Sequence, residues 1–476
     1  MKKYLLLHVI GAFALSWQVT AVAAPYIRYE AHSAQGIKAL ASMQKAFVKL
    51  KALGCRIPVS WYFQSAIHGV PNPSEAILDT NPLCPSFTKV SQPYVAWSKC
   101  ASHSRSGPAS DIHFLPWHRL YLSHFEKIVR KYSLDPTFSM PYWDYAKFPT
   151  LPDKLQAKTK GSLYEPGRLA SLNQGKAISS GALETIRVDS IALQDIVDYA
   201  TYNNQINQGL HDFMHDYIGG TATSYNKVYN QEVSNGLMGN VASAAFDPVF
   251  WLHHSNVDRL WQNWIIENPG QNLTLDDLNS VKWLYRFYID NGKNNGTGIN
   301  YTMPQVLAMI NKPDYVYDKK AVAPAGKITP PRLVEHTLAT IPLHATASMD
   351  NPANVALTLN HEQLQVIDKI VDERIVLNLT AAYIGKPKGR YEVYINLPEN
   401  IMPSSIEAKK YFTGAISFFI DDPAGKGAQR EFRYDLTDEL LLSKQALDTI
   451  RLTVVKTTGP VEGSITLKKA ELFYLN

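Results

Sequence analysis

The segment LHDFMHD places His211 and His215 four residues apart. On an α-helix that spacing stacks two side chains on one face, so both imidazoles can reach one metal ion. A second segment, FDPVFWLHHSNVDRLW at 246–261, adds His253 and His254 on another predicted helix, whose apolar stripe is Val257, Leu260, Trp261 and Trp264. Neighbouring residues on a helix diverge, so one of this pair should bind and the other pack or support. Asp258 follows His254 by four residues, where it can orient Arg259 or a neighbouring ring.

A third cluster, CASHSRSGPASDIHFLPWHRLYLSHFEKIVR at 100–130, carries His103, His113, His118 and His124. Pro116 suits an early helical turn, which puts His118 near the start of an amphipathic helix. His68 lies upstream, closing the aromatic stretch SWYFQSAIHG. Nine of the 14 histidines fall between His68 and His254. A lone histidine usually satisfies a local hydrogen bond, and His32, His336, His344 and His361 read that way. Clustered neutral imidazoles without cysteine or carboxylate ligands favour copper or zinc. A zinc-protease helix needs a glutamate directly after its first histidine. Here that position is Asp212, one methylene shorter, which weakens a hydrolase reading.

The surrounding chain predicts a multidomain α + β protein. Residues 1–23 read as a secretory signal peptide: Lys2 and Lys3, an apolar run, then small residues at Ala21 and Ala23. An exported, periplasmic or secreted location follows, and removing two lysines takes the net charge from +5 to 5 − 2 = +3. That near-neutral balance excludes nucleic acid as an obvious partner, and no later segment is long and apolar enough for a membrane. Export permits disulfides, and Cys55, Cys84 and Cys100 allow one pair with one sulfur left over. Helical periodicity dominates 24–320, in Ile37–Leu53, Phe114–Val129, Ile206–Met214 and Val257–Ile266. AVAPAGKITPPR opens a linker over 321–335. Beyond it, YEVYINL, AISFFID, IRLTVVK and SITLKKAELFYL predict a β-sandwich over 336–476.

Four strings together resemble the tyrosinase–polyphenol oxidase–hemocyanin superfamily of type 3 copper proteins. FLPWHR at 114–119 is similar to its copper-A signature, and HDFMH at 211–215 to its first copper-B pair. DPVFWLHHSNVDRLW at 247–261 resembles the last copper-B motif, and MPYWDY at 140–145 the PYW segment between them. The resemblance covers about residues 36–320. The β-region is less closely similar to the shielding domain of latent polyphenol oxidases. An antiparallel four-helix bundle holding two copper ions is then implied. Copper A would take His68, His103 and His118; copper B would take His211, His215 and His254, with His253 packing or supporting. The family's spacing puts the second copper-A ligand at Ala109, which cannot bind metal. His103 replaces it if a short insertion lies within SRSGPASDI. His113 is nearer, but on a helix it points about 140° away from His118. The resemblance also leaves Cys84 and Cys100 either paired as a disulfide or one of them joined as a thioether to the second copper-A histidine.

The resemblance implies a phenolic small-molecule substrate, O2, and oxidation to an o-quinone by tyrosinase chemistry. The alternatives are a catechol oxidase without monophenolase activity and a hemocyanin-like O2 carrier. Positions after the first two copper-B histidines face substrate in relatives; here they are Asp212 and Asp216, candidate bases that also favour cationic amines. A β-domain side chain should plug the pocket, with Tyr411, Phe418 and Phe419 as candidates against an ordinary strand-core role.

Overall fold

The computed structural model describes residues 25–54, 57–69, 112–221, 224–226, 231–233, 235–292, 296–319, 332–367, 374–385, 387, 389–419, 427–443, 449–459, 461 and 463–476. The signal segment, all three cysteines, His103 and the 321–331 part of the linker lie outside them. The chain is helical first and sheet-rich after 332. Among the described residues no helix is long and apolar enough to cross a membrane.

Helix α1, Ala34–Ala52, starts where Ser33 Oγ accepts the Gly36 N–H at 3.0 Å. Helix α2, Trp61–Ala66, is capped the same way by Ser60, which accepts from Phe63 N at 3.1 Å. Helix α3 is Phe114–Ser133 and buries its first four turns nearly all round. It ends on Leu134, whose φ of 60° stops further helical bonding. Helix α4, Ser180–Ala192, precedes a longer run made of α5, Tyr199–Gln205, a π-helical segment Ile206–His211, and α6, Asp212–Gly219. Helix α7 spans Val249–Glu267 and begins earlier than its apolar stripe suggests. Asp247 explains the early start: its Oδ1 accepts the Val249 N–H at 2.9 Å while Arg168 holds the same carboxylate at 2.6 Å.

The ends of the helical region are stitched together. Strand β1, Tyr26–Arg28, pairs in parallel with β2, Tyr315–Tyr317. The helical region has its own buried core, to which the described residues beyond 332 contribute one buried side chain, Phe419.

After the linker come β3 Glu335–Ala347, β4 Ala353–Thr358, β5 Arg374–Tyr383, β6 Tyr391–Ile395, β7 Phe412–Ile416, β8 Ala428–Asp435, β9 Thr449–Lys456 and β10 Ile465–Leu475. They form two four-stranded antiparallel sheets, β7-β6-β9-β4 and β8-β5-β10-β3, with a shared cluster of buried residues between them. The expected strand through AISFFID differs: it ends at Ile416, and Ser417–Phe419 leaves the sheet. Ser417 N then donates to Gln208 O of the π-helical segment at 3.2 Å.

Strand β8 is an edge of its sheet, and edge strands present unpaired backbone groups. The helical region covers this edge with amides. Gln208 Nε2 donates to Glu431 O at 3.0 Å, and Asn204 Oδ1 accepts from Arg433 N at 2.9 Å. Gln205 Nε2 donates to Arg433 O. A buried ion pair adds to the seam, with Arg390 Nη2 2.6 Å from Asp189 Oδ1. Beside it a cavity of about 300 Å³ is lined by Asp195, Arg374, Asp435, Asp438 and Glu439. Burial, helped by neighbouring acids, pushes Asp435 up to about 6 and Glu439 up to about 8.

Both carboxyls are therefore held neutral at pH values where a free carboxyl ionises. Their contribution to the folded chain is complete below about pH 4 and is lost as pH rises through about 8. We expect the denaturation midpoint of the full chain to fall across that window. Glu439→Gln should flatten the fall; an equal slope in that variant would show that another group controls it.

Candidate metal centre

Five of the proposed ligands meet in one buried place. His68 lies just beyond α2, His118 on α3, His211 and His215 around the start of α6, and His254 on α7. His68 Nε2 lies 3.4 Å from His118 Nε2, and His215 Nε2 lies 3.3 Å from His254 Nε2. The His118 and His254 rings stack at 4.1 Å between centroids. Two metal-capable groups result: His68, His118 and His254, and His211, His215, His253 and His254. The second holds His253 as well, which the sequence reading kept as support. Its ring stacks on His211 at 5.3 Å and lies 5.9 Å from Tyr145, within the MPYWDY segment.

The outer nitrogens are fixed by main-chain carbonyls. Nδ1 of His68 bonds Val241 O at 2.7 Å, His118 bonds Phe114 O at 2.9 Å, His211 bonds Asn207 O at 3.1 Å and His215 bonds Met238 O at 2.9 Å. A carbonyl only accepts, so each Nδ1 carries the proton and each Nε2 turns a lone pair inward. The π-helical segment has a local part in this. It bonds Asp212 N to Asn207 O, five residues back, and that carbonyl also receives the His211 ring.

Burial holds all six rings neutral. It lowers His68 and His211 to about 3, and lowers His118, His215, His253 and His254 well below their ordinary value. Two lone pairs facing each other at 3.4 Å, as in His68 and His118, repel unless a cation lies between them. The donor set thus fits a metal that prefers neutral imidazole, copper among them.

The remaining histidines separate from this group. His113 Nδ1 bonds Tyr285 Oη at 2.9 Å and its Nε2 lies 3.4 Å from Val281 O, away from the cluster. His124 stacks on Phe287 and Tyr301, as a packing residue does. His103 lies outside the described residues.

The two acids behave differently. Asp216 is half-buried on α6. Asp212 is fully buried; its Oδ1 lies 3.0 Å from His211 Nδ1, and its Oδ2 accepts from Arg430 Nη1 at 3.3 Å and Phe419 N at 3.2 Å. Asp212 is thus committed to contacts with the sheet region. Phe419 lies flat on His215, 3.8 Å between centroids and 14° between planes, and edge-on to His211 at 5.7 Å. Its neighbour Phe418 points the other way, into the sheet core, while Tyr411 packs in a separate small cluster. Sequence alone did not find Arg430, Gln208 or the Val241 and Met238 carbonyls. Arg430 gives no local signal, being one basic residue on a strand.

Asp258 also differs from expectation. Its partners are distant, not Arg259: Arg119 Nε donates to Oδ1 at 2.5 Å, Arg28 Nη1 to Oδ2 at 3.0 Å and Tyr317 Oη to Oδ2 at 2.6 Å. Arg259 instead bonds Asn256 Oδ1 at 2.9 Å. Burial alone would raise the Asp258 carboxyl, but Arg119 and Arg28 pull it below its usual range. This carboxylate ties α3, one residue after His118, to α7, one turn after His254.

Residues 58–195 and 168–267 match the common central domain of tyrosinase. The tyrosinase HcTyr1 of Hahella sp. (strain CCB-MM4) is 27% identical over 271 residues, 52% of this chain and 55% of that protein. Polyphenol oxidase C of Solanum lycopersicum, a chloroplastic protein, is 24% identical over 430 residues, 77% of this chain and 64% of that one. The chain thus spans 55% and 64% of these curated relatives. In fold it is similar to a latent aurone synthase (polyphenol oxidase), with a TM-score of 0.66 at 18% identity over 95% of this chain and 90% of that one. A latent apple tyrosinase gives 0.65 at 19% identity, over 95% and 98%. Helices converging on a buried set of histidines and matching this central domain define a tyrosinase-type protein. The chain belongs to the tyrosinase–polyphenol oxidase family of type 3 copper proteins, whose members bind a dinuclear copper centre.

Replacing Asp258 with alanine would leave Arg119 and Arg28 buried with a partner missing. That should cost about 3–5 kcal/mol. Chemical denaturation measures it; a loss under about 1 kcal/mol, the range of an exposed pair, would remove Asp258 as the tie between α3 and α7.

Proposed function

We propose that this chain is an exported polyphenol oxidase, made latent, that uses O2 to oxidise phenols or catechols to o-quinones. The single observation that carries this reading is the buried cluster of neutral imidazoles, four of them anchored by carbonyls so that their Nε2 atoms face inward. His68, His103 and His118 would hold one copper ion; His211, His215 and His254 would hold the other. Bound there, the copper pair supplies the reduction of O2 and the two-electron oxidation of the substrate. The protein's part is to keep the rings neutral, fix their planes through Val241, Phe114, Asn207 and Met238, and exclude water with Phe250, 4.2 Å from the His254 ring, and Phe114, 4.7 Å from His211. The four helical segments that deliver the histidines serve as the bundle. The two sheets serve as a β-sandwich cap, with the boundary in 321–335 and the signal at 1–23.

Latency rests on Phe419. Its ring occupies the face of His215 that a phenol needs, and Asp212 is neutralised by Arg430. We place Asp212 and Asp216 as substrate-facing acids of the opened enzyme, where either is able to take a phenolic proton. Both a tyrosinase and a catechol oxidase fit this centre, and they differ in whether a monophenol is hydroxylated.

Metal analysis of the copper-loaded full chain should give two copper ions. Oxygen uptake should follow with L-DOPA, and uptake with L-tyrosine as well marks a tyrosinase. Zinc retention without copper, or reversible O2 binding without turnover after opening, contradicts an oxidase. Phe419→Ala in the full chain should raise L-DOPA turnover by about tenfold or more, since a stacked ring is worth roughly 1 kcal/mol beyond its buried area. Unchanged turnover in that variant removes Phe419 as the plug.

A further inference from the structure

His253 is fully buried, and neither of its ring nitrogens has a hydrogen-bond partner among the described residues. A neutral imidazole carries one N–H and one lone pair, and burying both unpaired is costly. The ring also stands where helical geometry alone would not put a ligand. Consecutive helical residues point about 100° apart, yet His253 and His254 are similarly close to the other two histidines of their group. His253 lies 5.3 Å from His211 and 4.9 Å from His215 between centroids; His254 lies 5.0 Å and 5.4 Å from the same rings.

One nitrogen each of His211, His215, His253 and His254 falls within 4.8 Å of the other three. Metal–nitrogen bonds of about 2.0–2.1 Å set the nitrogens around one ion about 3.4 Å apart in a tetrahedron, or about 4 Å across a square. His215 and His254 already have that separation, with their Nε2 atoms 3.3 Å apart. The others need to draw in by about 1 Å or less. His211 and His215 are aimed by their carbonyls. Nδ1 of His253 and of His254 has no partner among the described residues, so neither ring is tied to the backbone.

His254 is shared with the other group, His68 and His118. Its fit there is poorer. The His118 and His254 rings are stacked with 8° between planes, and lone pairs lying in parallel planes do not converge on one ion. The His215 and His254 planes are 58° apart, and their Nε2 lone pairs can converge. We propose that metal enters this chain in order, and that the first ion is held by His211, His215, His253 and His254 together. His253 is then a loading ligand, supplying a nitrogen that the paired centre as assigned above does not use. The proposal rests on reading the cluster as a copper centre and not on turnover of any phenol.

The test titrates the metal-free full chain with Cu2+ and follows each step by electron paramagnetic resonance, which counts unpaired spins and coordinated nitrogens. Below one equivalent we expect a single mononuclear signal with four nitrogens, and the second equivalent should weaken it as the two ions couple. His253→Phe keeps a ring to stack on His211 but offers no donor. It should leave three nitrogens and weaken the first ion by about tenfold or more. His68→Ala removes a ligand of the other group and should keep the four-nitrogen signal. Three nitrogens in the wild-type chain, an unchanged signal in His253→Phe, or two ions entering together overturns the proposal, whatever the turnover with L-DOPA. A four-nitrogen ion that never pairs supports it and contradicts the oxidase reading instead. A chain that binds no copper contradicts both. Should His253→Phe not fold, the nitrogen count of the wild-type chain decides.

Discussion

Burying six imidazole rings in one place is the constraint that the helical region answers. Each ring loses water and so must stay uncharged, and each outer nitrogen needs an acceptor. For four of the six, His68, His118, His211 and His215, the acceptor is a carbonyl, and two of these carbonyls, Val241 and Met238, come from outside the long helices. The 238–244 stretch is thus needed to orient rings whose Cα atoms sit elsewhere. The π-helical segment before His211 serves the same need, because it turns a helical carbonyl into a ring acceptor.

The fixed rings depend in turn on helices that cannot slide. Asp258 supplies that constraint with two guanidiniums and two tyrosine hydroxyls around one carboxylate. Arg28 reaches it from the first described strand, and Tyr315 and Tyr317 from the end of the helical region, so both ends of that region close on one charge. Such a cluster is poor value as net stability, since desolvation offsets most of the attraction. Its use is geometric: α3 and α7 each present a histidine within one turn of Asp258 or its partner Arg119.

Much of the centre was legible in the sequence. The i, i+4 pair His211 and His215, the helix bearing His254 and the early helical position of His118 all follow from periodicity, because a long helix fixes the direction of its side chains. His113, expected to point away from His118 on a helix, is instead the residue just before α3 and bonds Tyr285, while His103 lies outside the described residues. What was not legible has a common cause. Asp258 finds partners 139 and 230 residues distant in the chain, and periodicity carries no information about contacts of that range. Arg259, the neighbour that looked apt, is occupied by Asn256. The strand through AISFFID was predicted too long for a related reason: the segment reads as β-rich throughout, but Ser417 and Phe419 bond to the helical region instead of a sheet.

That ending joins the two halves of the molecule. Side chains alternate along an extended chain, so Phe418 and Phe419 must point to opposite sides. One enters the sheet core and the other enters the histidine core. Contact between the sheets and the histidine cluster therefore needs only two aromatic residues in succession where a strand leaves its sheet. Because Phe418 anchors the pair in the sheets, the position of Phe419 on His215 is set by how the sheet edge β8 docks on α5. The amides of Asn204, Gln205 and Gln208 hold that docking. A change anywhere along this edge is transmitted to the histidine cluster through the placement of a single ring.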